Sequence, residues 1–226
     1  MADRETRLRG AWAQAATVVR RHPVAALAPA AVLGAAADVL QLVGSSAVAE
    51  VALGLALAIA FEFYVAYAER LLVEDRRDRG RVEIGRMLRG ALAIFPPLLA
   101  ASLLAVTLPL AATGLLVVPG LWLLTRWSLF APAIAREGLG SLDSLRRSAD
   151  LVRGHFWPVF GVAGVAILIE HGVIHASAHA AEPVLGSRVL GLVAAGLVVA
   201  AVSPIAAFTV SLVYDRLSTA AARPSP

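Results

Sequence analysis

Long apolar stretches alternate with short charged connections along the chain. Each stretch has the ~20 residues that a helix needs to cross ~30 Å of hydrocarbon. This spacing predicts an all-α fold, a polytopic membrane protein of six transmembrane helices. The predicted spans cover, approximately, residues 24–43, 47–68, 91–113, 115–134, 157–178 and 189–213.

Charged residues are almost excluded from these stretches. A charge at the bilayer centre costs about 2.5 to 3.5 kcal/mol on insertion scales, so a membrane imposes this segregation. Six fully buried helices of a soluble protein would leave no amphipathic helix to cover a core. The exceptions inside the predicted spans are Asp38, Glu50, Glu62, Arg126 and Glu170.

The basic residues predict the orientation of the chain. All 20 are arginines, and 18 of them fall in connections and termini on one side of the predicted membrane. Because cytoplasmic connections are enriched in basic residues, both termini are predicted to be cytoplasmic. An alternative stays open for the first stretch, which follows Arg20 and Arg21 and contains small residues at 35–37. If it is a cleaved signal peptide, five spans remain.

The connections indicate three repeated units within one membrane domain, 1–226. Each unit is an interfacial amphipathic helix followed by a helical hairpin, and residues 1–22 form the first such helix; residues 217–226 are predicted to be a flexible tail. The second helix of each hairpin ends in a similar sequence with an arginine. A membrane surface alone also favours arginine at these positions. Their endings are Ala68-Glu69-Arg70, Ala135-Arg136-Glu137 and Tyr214-Asp215-Arg216.

Arginines of the interfacial helices are the predicted contacts with lipid. A guanidinium group near an anionic membrane surface contributes about 1 kcal/mol to binding. Ordinary anchoring of the topology is the alternative role. The predicted headgroup contacts are Arg20, Arg21, Arg89, Arg146, Arg147 and Arg153.

Two stretches carry a resemblance to a known family. One runs from Gly114 to Trp127, with a proline-glycine at 119–120, and the other from Ser144 to Trp157. They resemble the glycerophosphoryl diester phosphodiesterase membrane domain family, bacterial polytopic membrane proteins of largely undefined function. The ending at 214–216 is similar as well, whereas the first hairpin matches in hydropathy alone.

The resemblance implies residence in the bacterial inner membrane and a six-span plan. The family takes its name from larger proteins in which such a domain accompanies a catalytic barrel. A (β/α)₈ barrel needs about 250 residues, for which this chain has no room. The paired acids and histidine of a phosphodiesterase have no counterpart either, so the protein is predicted not to be an enzyme.

Polar residues inside spans are functional candidates, since each is costly unless it is paired or faces a cavity. Glu62 and Arg126 lie at comparable depth and can form an ion pair. Alternatively, Arg126 extends along Trp127 to the interface and Glu62 is protonated. Small residues four apart, Gly54 with Ala58 and at 191 with 195, predict close helix packing.

Histidines recur every four residues in the fifth predicted span. His171 and His175 lie on one face of a helix, a spacing with which a helix holds a metal ion. With a carboxylate from Asp38 or Glu50 they would suit zinc, the one cofactor that the sequence suggests. Sensing of external pH and plain solubility at the interface are the alternatives.

These features favour a non-catalytic integral membrane protein, either a scaffold or a lipid-associated accessory component. The alternative is a small-solute or cation transporter or channel that uses the intramembrane acidic, arginine and histidine residues. The predicted partners are the lipid bilayer, its anionic headgroups, and a membrane-protein partner or a second copy of the chain. Nucleic acid is not a predicted partner, because the formal net charge of +4 is small.

Overall fold

The fold is predominantly helical over the residues that the computed structural model describes, 2–43, 47–77, 82–115, 117–169, 172 and 186–222. These residues form no strand, so the predicted all-α class is confirmed. The helix at Phe156–Ile169 contains a π-helical turn, Phe160–Gly164. The helices are α1 (Ala2–Arg21), α2 (Pro23–Val43), α3 (Ala47–Arg77), α4 (Ile84–Ala93), α5 (Phe95–Leu115), α6 (Val117–Trp127), α7 (Phe130–Glu137), α8 (Ser141–Val152), α9 (Phe156–Ile169) and α10 (Arg188–Ala221).

Several of these helices are long and apolar enough to cross a membrane. Three segments of the described chain meet that standard alone: Ala52–Arg76, Val117–Glu137 and Val189–Ala221. The number rises to five if two bent pairs each count as one span, α4 with α5 at 65° and α8 with α9 at 108°. In α2, Pro23–Ala36 forms a shorter apolar helix. The chain thus has the helices of a membrane protein, while the six-span plan stays a prediction.

The surface of the apolar helices is itself apolar. In α10, Leu197 is 66% exposed and Val193 is exposed as well, whereas Phe208 on the same helix is completely buried. Exposing apolar surface to water costs about 25 cal/mol per Å². Contiguous exposed apolar surface marks an interface with a membrane or a partner. A hydrocarbon environment removes this cost.

Three amphipathic helices, α1, α4 and α8, each stand directly before an apolar helix. The threefold repeat itself stays a prediction. Among residues 10–21 of α1, the side chains that the structure describes, the buried positions are Ala11, Ala15 and Val18, spaced at three and four residues. The 108° bend between α8 and α9 turns α8 away from the direction of the apolar helix that follows it. This geometry suits a helix that lies along a membrane surface.

A hydroxyl group of α8 holds the junction between α6 and α7. Pro132 has no N–H, and its ring conflicts with the carbonyl four residues earlier, which favours a break in the helix there. At the break, Ser148 Oγ donates to the Arg126 carbonyl at 2.9 Å and accepts from the Leu129 N–H at 3.1 Å. Because Ser148 is completely buried, water cannot substitute for it. Ser148 therefore fastens α8 over the break.

Replacing Ser148 with alanine is expected to destabilise the protein by about 2 kcal/mol or more, because a buried carbonyl and a buried N–H each lose their partner. Ser144 is the matched control: it is equally buried, but its hydroxyl donates to the carbonyl of Ser141 in its own helix, at 2.7 Å. Ser144→Ala should cost less than about 1 kcal/mol. Thermal unfolding in detergent micelles measures both, and equal melting of the two variants would contradict the assignment.

Two tyrosines of α3 satisfy backbone carbonyls of α2. Pro29 lacks an N–H, so the carbonyl of Ala25 loses its partner in the helix. The Tyr67 hydroxyl donates to this carbonyl at 2.8 Å, and the Tyr64 hydroxyl donates to the neighbouring carbonyl of Ala26 at 2.5 Å. Both phenol groups are buried and their rings stack 5.8 Å apart. Phenol donors thus replace the backbone donor that proline removes, and they join α2 to α3.

Replacing Tyr67 with phenylalanine is expected to lower the free energy of unfolding by about 1–3 kcal/mol, the cost of an unsatisfied buried acceptor. In a Pro29→Ala background the new N–H reaches the same carbonyl, so the substitution should cost clearly less. A double-mutant cycle in detergent micelles measures this coupling. The interpretation fails if the cost is the same in both backgrounds.

α2 and α10 come into close backbone contact at two glycines. A Cβ atom at Gly34 would lie 3.1 Å from the carbonyl oxygen of Gly196 and 3.4 Å from its Cα. The seam predicted at Gly54 is different, because a Cβ there meets no atom of the described residues within 4 Å. Ala195, in the second predicted seam, is buried beside Gly196. Small residues do allow close packing in this fold, at α2 and α10.

Candidate functional site

Charged residues from the ends of α3, α7 and α10 meet in an ion cluster that consists of Glu69, Arg76, Arg136 and Asp215. Arg136 lies at its centre: its Nε donates to Glu69 Oε1 at 2.6 Å, and its Nη1 donates to Asp215. Arg76 donates with both terminal nitrogens to the two Asp215 oxygens, at 2.8 and 2.6 Å. Carboxylates and guanidinium groups therefore alternate in a chain without net charge.

The ion cluster runs from the protein interior to the surface. Glu69 is 1% exposed, and its Oε2 is buried without a hydrogen-bond partner in the described part of the chain. The side chain of Arg76, at the other end, is 47% exposed. Burying a charge costs several kcal/mol, which a partner offsets only with good hydrogen-bond geometry. The arrangement therefore binds three helix ends together and makes each carboxylate dependent on its arginine.

A second group of contacts adds α8 to the same end of the bundle. Arg147 donates to both oxygens of Glu137, at 3.0 and 3.1 Å, and the Tyr214 hydroxyl donates to Glu137 as well. The guanidinium of Arg136 lies 5.6 Å from the centre of the Tyr214 ring, within range of a cation–π interaction. The hydrogen bonds to Glu137 raise the pKa of Arg147 above its usual value. Arg147 is consequently held as a cation at the helix surface.

The junction of α1 and α2 is tied to α3 by a third group. Arg21 Nη1 donates to both oxygens of Asp75 at 3.1 Å, and His22 Nε2 lies 2.8 Å from Asp75 Oδ1. All three contact groups lie at one end of the bundle, the basic end. Arginines that bond to other helices at this end are Arg21, Arg76, Arg86, Arg136, Arg147 and Arg216.

The three similar helix endings seen in the sequence meet at the basic end. Glu69, Arg136 and Asp215 come from the three different endings, yet they contact one another directly. The sequence indicated that these endings were alike but not that they touch. His22 and Asp75 were not candidates from the sequence, because a histidine and an aspartate 53 positions apart carry no local signal.

The structure places Glu62 and Arg126, both predicted as intramembrane candidates, in different cavities. Glu62 lines an apolar cavity of about 230 Å³ together with Pro109 and Trp127. Arg126 lines a separate groove, and its guanidinium lies 4.9 Å from the centre of the Trp122 ring. The observed neighbour of Arg126 is thus an aromatic ring of its own helix.

The side chains of the remaining polar candidates lie outside the part of the chain that the structure describes. Asp38 lies in α2 and Glu50 in α3, but their side chains are outside the described part of the structure. Glu170 and the two histidines of the predicted zinc site, His171 and His175, lie outside the described residues. Among the residues that are described, no group of three histidine, aspartate or glutamate side chains could hold a metal ion.

The structure divides the six predicted headgroup arginines into two sets. Arg21 and Arg147 are held by carboxylates, as described above. The other four are exposed. Arg146 and Arg153 each meet an aspartate three residues earlier, at 3.3 Å, on the exposed face, and such surface pairs contribute little. The exposed set consists of Arg20, Arg89, Arg146 and Arg153.

Comparison with known proteins bears on the C-terminal two thirds of the chain. A family model described as a domain of unknown function matches residues 82–221. The matched region includes the stretches on which the resemblance to the phosphodiesterase membrane domain rests. No curated protein and no solved structure matches the chain significantly.

Proposed function

The chain belongs to the DUF7847 family, a domain of unknown function, and we propose from its own residues that it is a non-catalytic membrane protein that associates with anionic lipid. It serves as a scaffold or accessory component of the bacterial inner membrane. In this proposal six helices span the bilayer, both termini are cytoplasmic, and the basic end lies at the cytoplasmic leaflet. The resemblance to the glycerophosphoryl diester phosphodiesterase membrane domain family supports the same plan.

The supporting observation is that exposed arginines remain after the carboxylates between helices are paired. Glu69, Asp75, Glu137 and Asp215 are all engaged in contacts between helices. Arg20 and Arg89 are exposed and form none of the ion pairs among the described residues, so their guanidinium groups are available at the surface of the basic end. Each attracts an anionic membrane surface by about 1 kcal/mol.

The helices that carry these exposed arginines also suit a membrane surface. Arg20 belongs to α1, Arg89 to α4, and Arg153 follows α8 directly. Trp157, which begins the next apolar segment, is 73% exposed. Tryptophan is enriched at membrane interfaces, where one part of the ring is apolar and the N–H meets water. Lipid association thus follows from charge and from helix geometry.

Thermal unfolding in micelles that contain added lipid tests this proposal. Phosphatidylglycerol should raise the melting temperature more than phosphatidylcholine, because the exposed guanidinium groups bind its negative charge. The triple variant Arg20→Gln, Arg89→Gln, Arg153→Gln should lose most of that difference. The matched triple lysine variant should keep it, since the charges remain. Equal stabilisation of the unmodified protein by both lipids would contradict lipid association.

Absence of catalysis is a separate part of the proposal. Incubation of the purified protein with glycerophosphodiesters should release no glycerol 3-phosphate above the level of a heat-denatured sample. Release that scales with the concentration of folded protein would show that the protein is an enzyme.

A second candidate function, transport of a small solute or cation, rests on the cavity lined by Glu62. A carboxyl group beside an apolar cavity between helices is the kind of intramembrane group that marks substrate paths. Proteoliposomes loaded with a pH-sensitive or cation-sensitive dye test it: flux that Glu62→Gln abolishes favours transport. Glu83→Gln, at an exposed position outside the cavity, is the matched control. Equal dye signals in protein-containing and protein-free vesicles would exclude transport of the tested ions.

A further inference from the structure

A groove, the lateral groove, opens on the side of the bundle between α5, α6 and α8. Its volume is about 570 Å³, more than twice that of the cavity beside Glu62. The walls are mainly apolar: Leu104 and Leu108 come from α5, and Trp122 and Leu123 from α6. Leu108 and Trp122 are each 46% exposed. The groove is therefore accessible from the lipid-facing side of the protein.

The charged side chains that line the lateral groove are both cationic. Arg126 comes from α6 and Arg146 from α8. Arg126 takes part in none of the ion pairs formed among the described residues. Arg146 pairs with Asp143 at 3.3 Å, but both side chains are exposed, so an incoming anion can displace this weak contact.

An arginine inside an apolar segment is stabilised by a bound anion. A guanidinium inside an apolar segment is costly unless it is paired or reaches water, and the ring of Trp122 offsets part of that cost. No carboxylate among the described residues pairs with Arg126. A phosphate group is a suitable partner, because its oxygens match the planar fork of guanidinium donors.

The position of Arg126 relative to α8 is held by the backbone. Ser148 of α8 donates to the carbonyl of Arg126 itself, so the helix that carries Arg146 is fastened to the residue that carries the other guanidinium. Fixing the two backbones lowers the entropy cost of bringing both arginines to one ligand. The lateral groove therefore combines two arginines on joined helices with a long apolar wall.

We propose that the lateral groove binds one anionic phospholipid, with its phosphate between Arg126 and Arg146 and an acyl chain along Leu104, Leu108 and Trp122. The charge of the two arginines selects an anionic headgroup, and the apolar wall requires a chain. This inference rests on the proposed lipid association and adds a defined site, in which Arg126 is a specific ligand. The proposed ligand is a phosphatidylglycerol-like lipid.

Quenching of tryptophan fluorescence by lipids with brominated acyl chains tests the site, because bromine quenches at contact distance. Brominated phosphatidylglycerol added to the micellar protein should quench saturably, and Trp122→Phe should remove much of the quenched signal. In the variant Arg126→Gln, Arg146→Gln the concentration at half-quenching should rise at least tenfold. Arg86→Gln removes an exposed arginine that does not line the lateral groove and should leave it within twofold.

Two further measurements, one on a groove-filling variant and one with a competing ligand, can contradict the proposal. Leu104→Phe, Leu108→Phe fills the apolar wall without changing charge or adding a tryptophan, and should also weaken quenching. This variant gives a result even if the arginine variant does not fold. Glycerol 3-phosphate carries the phosphate without a chain; if it prevents quenching at equal concentration, the site binds free phosphate and the lipid assignment is wrong. Equal half-quenching by brominated phosphatidylcholine, or no change in the groove variants, would also overturn it.

Failure of this site can be told apart from failure of the proposed function. If the triple glutamine variant loses the stabilisation by phosphatidylglycerol while the groove variants quench like the parent, lipid association stands and the lateral groove is wrong. If phosphatidylglycerol stabilises no variant and not the parent, the proposed function itself fails.

Discussion

Replacing Arg136 with methionine is expected to lower the free energy of unfolding by about 3–5 kcal/mol, the range for breaking a buried charge pair by removing one partner. The change deprives Glu69 Oε1 of its donor and leaves Asp215 with Arg76 alone. Because Glu69 is buried, water cannot take the place of the guanidinium. Equilibrium unfolding in micelles of increasing SDS content, followed by circular dichroism, measures the loss.

Two control variants separate the ion cluster from a general effect of charge. Arg153→Met removes an exposed arginine and should change stability by less than about 0.5 kcal/mol. The variant Glu69→Gln, Arg136→Met, Asp215→Asn removes the buried charges together and should be less destabilised than Arg136→Met alone, since no uncompensated buried charge remains. Arg76 keeps its charge but is 47% exposed to solvent. Equal stability of Arg136→Met and Arg153→Met would show that the ion cluster does not hold the helix ends.

Replacing Gly34 with leucine is expected to destabilise the protein by about 3 kcal/mol, at the upper end of the cost of overpacking. The new Cβ would lie 3.1 Å from a backbone oxygen of Gly196. Backbone cannot rotate away as a side chain does, so α2 and α10 must separate along their contact. Gly34→Ala should give a smaller loss in the same assay, because the neighbouring helix then has to shift by a few tenths of an ångström.

Gly54→Leu is the matched control for this prediction. Gly54 also lies in an apolar helix, but a Cβ there meets no atom of the described residues within 4 Å. Its substitution should leave the melting temperature within about 2 °C of the parent, the shift that corresponds to a few tenths of a kcal/mol. A loss at Gly54 as large as that at Gly34 would mean that the contact between the two glycines is not what limits packing.

Part of the candidate site was visible in the sequence. The endings at 68–70, 135–137 and 214–216 supplied three residues of the ion cluster, because an acid beside an arginine at the end of an apolar stretch is a local pattern. Their pairing was not visible, since each ending offers both charges and sequence does not say which acid meets which arginine. Arg76, the fourth member, lies a further two turns along α3.

Other contacts left no sequence signal. Ser148 reads as an ordinary polar residue of an amphipathic helix, and Tyr67 as an aromatic residue near a membrane surface. The role of Tyr67 follows from Pro29, whose missing N–H leaves the carbonyl of Ala25 without a partner in its helix. The role of Ser148 follows from the break between α6 and α7. A proline in the sequence indicates that the carbonyl four residues earlier has no backbone donor. The residue that donates to it instead comes from a distant part of the chain, so the sequence does not identify it.

Length, hydropathy and the distribution of arginine determined the helical class, the apolar segments and the position of the amphipathic helices. They do so because hydrocarbon excludes charge and requires backbone hydrogen bonds within each segment, which are local constraints. The tertiary structure decided which carboxylate each arginine meets, which glycines touch, and that Arg126 faces a groove instead of Glu62. Those outcomes depend on how helices rotate and cross, and packing between segments distant in sequence sets both.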